Sequence, residues 1–176
     1  MLNTKEVRQE ILAFLDEQKI PYEYHEHEKA HTIEDCLAMP FITEDVNICR
    51  NLFLCNRQQT QFYLLLLRPL TAFRTSVVSK ALGSSRLSFA PEDALPQLLH
   101  LTSGSVSPLG LFYDKEHRIT LAAEKAILNT PRIAFHPCDN HATVIFTQAD
   151  FWQRVLPALG VSPVMIDAEI PPQITV

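Results

Sequence analysis

The sequence is poor in glycine and has no paired cysteine motif. Its 176 residues include only four glycines, and its 12 prolines are spread along the chain. We find no low-complexity tract, no internal repeat and no flexible linker, so we expect a single domain over residues 1–176. Cys36, Cys49, Cys55 and Cys138 form no C-x-x-C pair, so we expect reduced and mostly buried thiols.

Long apolar runs are also lacking. The longest, FYLLLL, covers Phe62 to Leu67, whereas a membrane-spanning helix needs about 20 apolar residues. The opening residues, MLNTKEVRQEILAFLDEQ, have the periodicity of an amphipathic helix and lack the unbroken apolar stretch of a signal peptide. We therefore expect a cytoplasmic protein with no membrane partner.

Charge is spread unevenly along the chain. The net charge is −5, made up of −7 in residues 1–49, +4 in residues 50–118 and −2 in residues 119–176. An acidic protein is a poor candidate for non-specific binding to nucleic acid, and we expect no DNA partner. The basic middle third still permits a specific contact with a polyanion.

The hydrophobic pattern predicts helices and strands in alternation. An amphipathic helix is expected from Thr4 to Gln18, followed by an extended segment in which Tyr22 and Tyr24 alternate with polar residues. The apolar runs NLFLC and QFYLLLL, separated by the polar NRQQT, indicate a hairpin in a sheet. We predict an α+β fold with a mixed, largely antiparallel sheet or partial barrel flanked by helices.

One motif suggests a metal site. His27-Glu28-Lys29-Ala30-His31 spells H-E-x-x-H, in which a helix presents both histidines to one zinc ion. However, Thr32 with an acid three residues later is a capping box, which starts a helix after His31 rather than before His27. On an extended segment the two histidines would be about 13 Å apart. A zinc hydrolase using His27, Glu28 and His31 remains an alternative, but we expect neither a metal nor a cofactor.

Two further segments have the composition of recognition loops. LTSGSVSPLGL, Leu101 to Leu111, can bring backbone N–H groups and small hydroxyls close to a ligand. FHPCDNHATVIF, Phe135 to Phe146, places a histidine and an asparagine at the entrance of an apolar strand. Each segment taken alone is equally compatible with an ordinary turn.

The ordered series YEYHEHEKAHTIED, RNLFL, ALGSSRLSFAPEDAL, LTSGSVSPLGL and HPCDNHATV is more specific. It resembles the YbaK/aminoacyl-tRNA synthetase-associated domain family, and within it the freestanding prolyl-tRNA-editing proteins, over nearly the whole chain. The resemblance implies a trans-editing hydrolase that cleaves the aminoacyl ester of mischarged tRNA, alanyl-tRNA(Pro) first, in a small pocket without metal. Such editing is needed because a missing methylene changes binding by only about 1–3 kcal/mol.

The resemblance also implies a set of site residues. Arg50 stands where the family usually has Lys before Asn-Leu-Phe, and with His136 of the His-Pro signature it would be catalytic. His31 and His141 depart from the family pattern, and the segment Tyr22–Asp35 would form one wall of the pocket. The implied substrate-binding residues are His27, Asn51, Gly104, Ser105, Ser107, Gly110 and Asn140.

The implied partners are the acceptor end of misacylated tRNA and, as a candidate, prolyl-tRNA synthetase. Lys80 and Arg86 of the basic middle third are the candidate tRNA-binding residues, in the company of Arg68 and Arg74. Two alternatives stay open. One is a deacylase of Cys-tRNA(Pro). The other is a non-catalytic module of the same fold that binds tRNA or a synthetase, which the arginine at position 50 and the departure at His141 favour.

Overall fold

The chain enters the fold through a capped amphipathic helix. The computed structural model describes residues 3–168, so residues 1–2 and 169–176 of the expected domain lie outside the described residues. Asn3 and Glu6 form a capping box at the start of helix α1, Thr4–Glu17. One face of α1 is buried in the main core. The helix predicted over Thr4 to Gln18 is thus confirmed.

The remaining helices are short. Thr32 caps α2 through the predicted capping box, with Asp35 as its partner. Thr147 caps α5, residues 148–158, whose middle part, Phe151–Val155, is a π-helical turn. The other helices are α2 Ile33–Leu37, α3 Thr75–Ala81, α4 Ala94–Leu99 and the 3-10 helices Pro108–Tyr113 and Lys125–Asn129. Within residues 3–168 no helix has the length and apolar character needed to cross a bilayer.

Nine strands are found among the described residues, and they form two sheets instead of one. The strands are β1 Glu23–Glu26, β2 Val46–Ile48, β3 Arg50–Cys55, β4 Phe62–Leu67, β5 Ser88–Phe89, β6 Ile119–Glu124, β7 Arg132–Phe135, β8 Ala142–Thr147 and β9 Val164–Ile166. The first sheet has the order β1-β8-β7-β2 and the second β5-β3-β4-β6-β9. The sheets are not closed into a barrel, and their pairings are part antiparallel and part parallel, so the predicted α+β class with a mixed sheet is confirmed.

The second sheet is organised around the predicted hairpin. β3 and β4 pair antiparallel from Arg50↔Leu67 to Cys55↔Phe62, and the Asn56 side chain closes the turn between them by accepting from the backbone of Thr60. From Tyr63 onwards every residue of β4 is buried, as expected of a strand covered on both faces. All four cysteines are buried, as predicted.

One stretch of chain belongs to both sheets. β2 lies in the first sheet beside β7, and β3 lies in the second beside β4. Cys49, the single residue between them, still donates its backbone N–H to Ala134 O of β7 at 3.2 Å. The next two residues, Arg50 and Asn51, therefore emerge where the sheets diverge.

The loop after α4 is fixed by tight packing. The 3-10 helix Pro108–Tyr113 is capped by Ser107, whose Oγ accepts from Leu109 N at 3.2 Å. Gly110 in this helix is buried, and an added Cβ would lie 2.8 Å from Leu101 Cδ1. A larger residue at position 110 would therefore force the buried Leu101 side chain to shift.

We expect Gly110→Ala to lower the free energy of unfolding by about 1–3 kcal/mol, because the added methyl overpacks the contact with Leu101. Urea unfolding followed by circular dichroism measures the change. Adding Leu101→Val to the Gly110→Ala variant should restore part of the lost free energy of unfolding. Gly83→Ala is the matched control: its φ is +61° and, within residues 3–168, nothing lies within 4 Å of an added Cβ, so Leu101→Val should not rescue it. Equal rescue of both variants would contradict the packing argument.

Candidate functional site

A small cavity lies where the chain crosses between the sheets. Its volume is about 200 Å³. Part of its wall comes from the segment before and within α2, and the rest from the start of β3, the loop at Gly104 and the loop after β7. The lining residues are Ala30, His31, Thr32, Ile33, Cys36, Ile48, Cys49, Arg50, Asn51, Gly104, Val106 and His136.

Arg50 is held by a buried network. Its Nη2 donates to Thr71 O at 3.0 Å, and the Thr71 hydroxyl donates to the Glu124 carboxylate at 2.9 Å. Glu124, which is 1% exposed, also accepts from Arg68 N at 2.9 Å and from Arg68 Nη2 at 2.7 Å. A buried carboxylate with this many charge-assisted partners fixes the 68–71 turn, and the turn fixes one end of the Arg50 guanidinium.

The cavity contains polar atoms that need partners. Among the described residues, neither Arg50 Nε nor Asn51 Oδ1 has a hydrogen-bond partner, although both atoms are buried. The other end of the Asn51 amide, Nδ2, donates to Val106 O at 2.9 Å, so its carbonyl oxygen is left as a free acceptor. Buried unpaired polar groups cost roughly 1–3 kcal/mol each, and such groups in a cavity point to a ligand that satisfies them. Two neighbouring residues of the cavity wall thus hold an unused donor, Arg50 Nε, and an unused acceptor, Asn51 Oδ1.

His136 presents a neutral ring to the same cavity. Its Nδ1 lies 2.8 Å from Ala142 O, and because a carbonyl only accepts, Nδ1 must donate. Nε2 is then an acceptor, 3.7 Å from Cys36 Sγ. Burial lowers the pKa of His136 below its usual value, against the opposing hydrogen bond to Ala142. His136 can therefore accept a proton at neutral pH.

Cys36 beside His136 is not arranged as an activated nucleophile. Burial, reinforced by Asp35, raises the pKa of the Cys36 thiol to about 11. The thiol stays protonated at neutral pH, and thiols react as thiolates. Burial also raises the pKa of the Cys49 thiol, which lines the same cavity. Neither cysteine is therefore in the reactive thiolate form at neutral pH.

The segment with the H-E-x-x-H motif is an irregular stretch with a bend at Glu28, beside the loop after β7. His27 N donates to His141 O at 2.9 Å, Ala30 N donates to Asn140 O at 3.0 Å, and the first residue of α2 is Ile33. No helix therefore carries His27 and His31 on one face. Within residues 3–168 no group of three or more His, Cys, Asp or Glu side chains is arranged to hold a metal ion.

The two histidines of this segment have different surroundings. His31 lines the cavity and is exposed. His27 lies behind it, with Nδ1 2.7 Å from Glu28 O and Nε2 2.9 Å from Thr143 Oγ1. The His27 ring centroid is 5.9 Å from that of His136, so His27 reaches the cavity only through the neighbouring ring.

The glycine–serine loop contributes Gly104 to the cavity and uses its serines internally. Gly104 has φ +88°, and an added Cβ would lie 3.4 Å from Asn140 Nδ2. Asn140 Nδ2 itself donates to Ala30 O at 3.1 Å, which ties the loop between β7 and β8 to the pocket wall. Ser105 Oγ donates to Thr102 O at 2.9 Å. Ser105, Ser107 and Gly110 do not line the cavity; they shape the loop that does.

The candidate tRNA-binding residues lie elsewhere. Lys80 is in the last turn of α3 and is exposed. Arg86 lines a separate surface cavity together with Arg74. Sequence reasoning did not single out Cys36 or Ile33 as cavity residues, nor Glu124 and Thr71 as the support of Arg50. For Cys36 and Ile33 the available signal in the sequence is the capping box at Thr32, because it predicts the helix α2 that carries both residues at the pocket wall.

Comparison with known proteins identifies the family. The model of the aminoacyl-tRNA editing domain matches residues 27–153. The chain is 34% identical to the prolyl-tRNA editing protein ProX of Acetoanaerobium sticklandii, over 88% of this chain and 93% of that protein. It is 30% identical to the prolyl-tRNA synthetase associated domain-containing protein 1 of Danio rerio, over 82% of this chain and 79% of that protein.

The fold agrees as well. A solved structure with a proposed role as a trans-editing enzyme for prolyl-tRNA synthetase superposes with a TM-score of 0.71 at 14% identity, covering 95% of this chain and 99% of that one. The predicted resemblance is confirmed by these matches. The chain belongs to the aminoacyl-tRNA editing domain family.

Proposed function

We propose that this protein is a trans-editing aminoacyl-tRNA deacylase that hydrolyses the ester of a small amino acid, with alanyl-tRNA(Pro) as its first substrate. The observation that supports this most directly is the cavity of about 200 Å³ with Arg50 Nε and Asn51 Oδ1 buried at its wall. The volume suits a small side chain. The free donor and acceptor suit an ester carbonyl and an amino group, which are the two polar ends of an aminoacyl ester.

The residues have distinct roles in the proposed reaction. Arg50 donates to the carbonyl oxygen and stabilises the oxyanion that forms on it. His136 Nε2 accepts the proton of the attacking water, which forms the tetrahedral intermediate. Asn51 Oδ1 accepts from the ammonium group of the amino acid. Collapse of the intermediate breaks the ester bond and returns the proton to the ribose oxygen.

The wider setting is also part of the proposal. Residues 1–176 act as one editing domain on the acceptor end of misacylated tRNA in the cytoplasm, and prolyl-tRNA synthetase is the candidate partner that delivers the tRNA. The names of the two relatives support a link to prolyl-tRNA or its synthetase. Lys80 and Arg86 are the residues proposed to meet tRNA phosphates.

The test of the function is a panel of misacylated tRNAs. We expect hydrolysis of alanyl-tRNA(Pro) well above the spontaneous rate, whereas prolyl-tRNA(Pro), the correctly charged product, should decay at its spontaneous rate. Loss of radiolabelled amino acid from the tRNA measures the rate. Faster hydrolysis of cysteinyl-tRNA(Pro) would reassign the substrate. If every ester in the panel decays at its spontaneous rate, the chain is a binding module and not a deacylase.

Arg50→Ala should reduce kcat/KM for the hydrolysed ester by about 10²–10³, the loss typical of one oxyanion donor. The kcat/KM of Arg50→Lys should lie between the values of the wild type and of Arg50→Ala, because lysine keeps the positive charge but lacks the planar guanidinium group. The control is Arg57→Ala, an exposed arginine in the turn between β3 and β4, which should be neutral. An Arg50→Ala enzyme with unchanged kcat/KM would exclude the proposed role. Activity gained by Arg50→Lys would instead favour the non-catalytic module.

The pH dependence of stability and of kcat/KM should reflect the lowered pKa of His136. Burial lowers the pKa of His136 in the folded protein, so between the ordinary value, about 6.5, and the lowered value the unfolded chain binds the proton first. The contribution of neutral His136 to the free energy of unfolding is fully present above about pH 6.5, and it is lost as the pH decreases through this interval. We expect the NMR titration midpoint of the His136 ring to lie below pH 6.5. As the pH decreases through that midpoint, kcat/KM should fall, because the ring becomes protonated. The His136→Gln spectrum assigns the signal, and a midpoint at or above 6.5 would contradict the argument.

A further inference from the structure

The turn that follows His136 contains a buried carboxylate. Asp139 is 3% exposed, although it lies in the short loop between β7 and β8. Its Oδ1 accepts from the backbone N–H of His141 at 3.1 Å and lies 2.8 Å from Nδ1 of the same residue, so the His141 ring also donates to it. Burying a carboxylate costs free energy unless its oxygens are paired, so these bonds hold the turn in one shape.

Arg8 ties this turn to the first helix. Its Nη1 lies 3.4 Å from Asp139 Oδ2, and its Nη2 lies 3.4 Å from Glu26 Oε1 on β1. The Arg8 side chain is only 11% exposed, so water screens its attraction to Asp139 less than it screens an ion pair on an open surface. Neither Arg8 nor Asp139 lines the small cavity, so any effect of this pair on the candidate site passes through the turn.

The turn in turn orients the ring of His136. Asp139 O accepts from Ala142 N at 3.3 Å, and Ala142 O is the acceptor that lies 2.8 Å from His136 Nδ1. The direction of the Ala142 carbonyl determines which ring nitrogen of His136 carries the proton. With the proton on Nδ1, Nε2 is left as an acceptor beside Cys36, which also lines the cavity.

The same turn holds one wall of the cavity. His27 N donates to His141 O at 2.9 Å, and Ala30 N donates to Asn140 O at 3.0 Å. Asn140 Nδ2 returns a hydrogen bond to Ala30 O at 3.1 Å. A displacement of the turn would therefore move the His136 ring and this wall together.

The charge of Asp139 also acts on His136 directly. Burial lowers the pKa of His136 and the charge of His27 adds to this, whereas the hydrogen bond to Ala142 and the charge of Asp139 raise it. Loss of the Asp139 carboxylate removes one of the two raising effects and loosens the turn that supplies the other, so the pKa should fall further. The ionisable groups that approach His136 from other parts of the chain include Cys36, His27 and, across the cavity wall, Arg50.

We propose that Asp139, held by Arg8 and His141, is the positioning residue of His136, because it fixes the turn that aims the Ala142 carbonyl at His136 Nδ1. The inference rests on the proposed function, since it identifies what keeps the proposed base in its accepting form. It also gives a role to His141, which departs from the family pattern: its half-exposed ring donates to Asp139 and supports the turn.

Proton–nitrogen correlation NMR of the His136 ring, recorded without substrate, gives both its tautomer and its titration midpoint. We expect the Nδ1–H form in the wild type. In Asp139→Ala we expect a mixture of the Nδ1–H and Nε2–H forms and a midpoint at lower pH than in the wild type. Asp114→Ala is the matched control, because Asp114 is also buried and also accepts two backbone N–H groups, from Arg118 and Ile119. It should lower stability and leave the His136 tautomer and midpoint unchanged.

Two milder variants keep the inference testable if Asp139→Ala does not fold. Asp139→Asn keeps an oxygen that can accept from His141 but loses the ion pair with Arg8, and Arg8→Met removes the same ion pair from its other end. Asp139→Asn should lower the His136 midpoint, and each variant should reduce kcat/KM for the hydrolysed ester, by up to about 10²-fold for a misplaced catalytic group.

The two substitutions should not be additive. Because both break one ion pair, the double variant should have the kcat/KM of the weaker single variant and not the product of the two losses. Arg118→Met is the control for Arg8→Met, since it breaks an exposed ion pair with Glu116 and should leave kcat/KM unchanged. Circular dichroism confirms that each variant is folded.

The NMR and kinetic outcomes separate this inference from the proposed function. A His136 tautomer and midpoint that stay unchanged in the Asp139 variants would overturn the positioning role, whatever the hydrolysis assays show, and so would an equal midpoint shift in Asp114→Ala. A shifted midpoint on loss of Asp139, in a protein that hydrolyses no ester, would support the positioning of the ring and exclude the deacylase. A shifted midpoint together with reduced kcat/KM supports both.

Discussion

The crossing of one chain segment between two sheets is the constraint on which the site depends. Residues 46–48 pair with β7 and residues 50–55 pair with β4, so the backbone leaves the first sheet at Cys49 and enters the second at Arg50. A cavity opens where the sheets separate, and Arg50 and Asn51 are the first side chains beyond the crossing. Both residues are carried by strand β3, which positions their side chains more precisely than a loop would.

The polar groups around this crossing are satisfied very unequally. Glu124 accepts from both Arg68 and Thr71 and is 1% exposed, so the turn that contacts Arg50 is secured by an ionic network centred on a buried carboxylate. Two buried atoms of residues that line the cavity, Arg50 Nε and Asn51 Oδ1, have no hydrogen-bond partner among residues 3–168. A preorganised site has strong hydrogen bonds behind its binding groups and unsatisfied hydrogen-bonding groups within it. The side chains are then already ordered by folding, so their ordering does not oppose ligand binding.

Local features could be read from the sequence, and long-range ones could not. The capping box at Thr32 and the hairpin of β3 and β4 depend on nearby residues, and both are confirmed. The division into two sheets depends on parallel pairings such as Phe62↔Ile119, whose partners are far apart in the chain and leave no local pattern. The support of Arg50 was missed for the same reason, since Glu124 meets Arg68 only because β6 lies beside β4. Ser105 and Ser107 are hydroxyls in a candidate recognition loop, and only the folded loop shows that Ser105 bonds to Thr102 and Ser107 to Leu109 within it.

Asn51, Gly104 and Val106 line both the small cavity and a larger cavity beside it, so a ligand in the small cavity has adjoining space for the group that is linked to it. Under the proposed function the intact substrate is a bivalent ligand, in which the amino acid and the tRNA each raise the effective concentration of the other. Ester cleavage divides it into two monovalent products. Each product then dissociates with its own weak affinity, so the protein distinguishes the linked pair from an equal mixture of its parts. Free amino acid and uncharged tRNA, both abundant in any cell that makes protein, would be poor competitors for the same site.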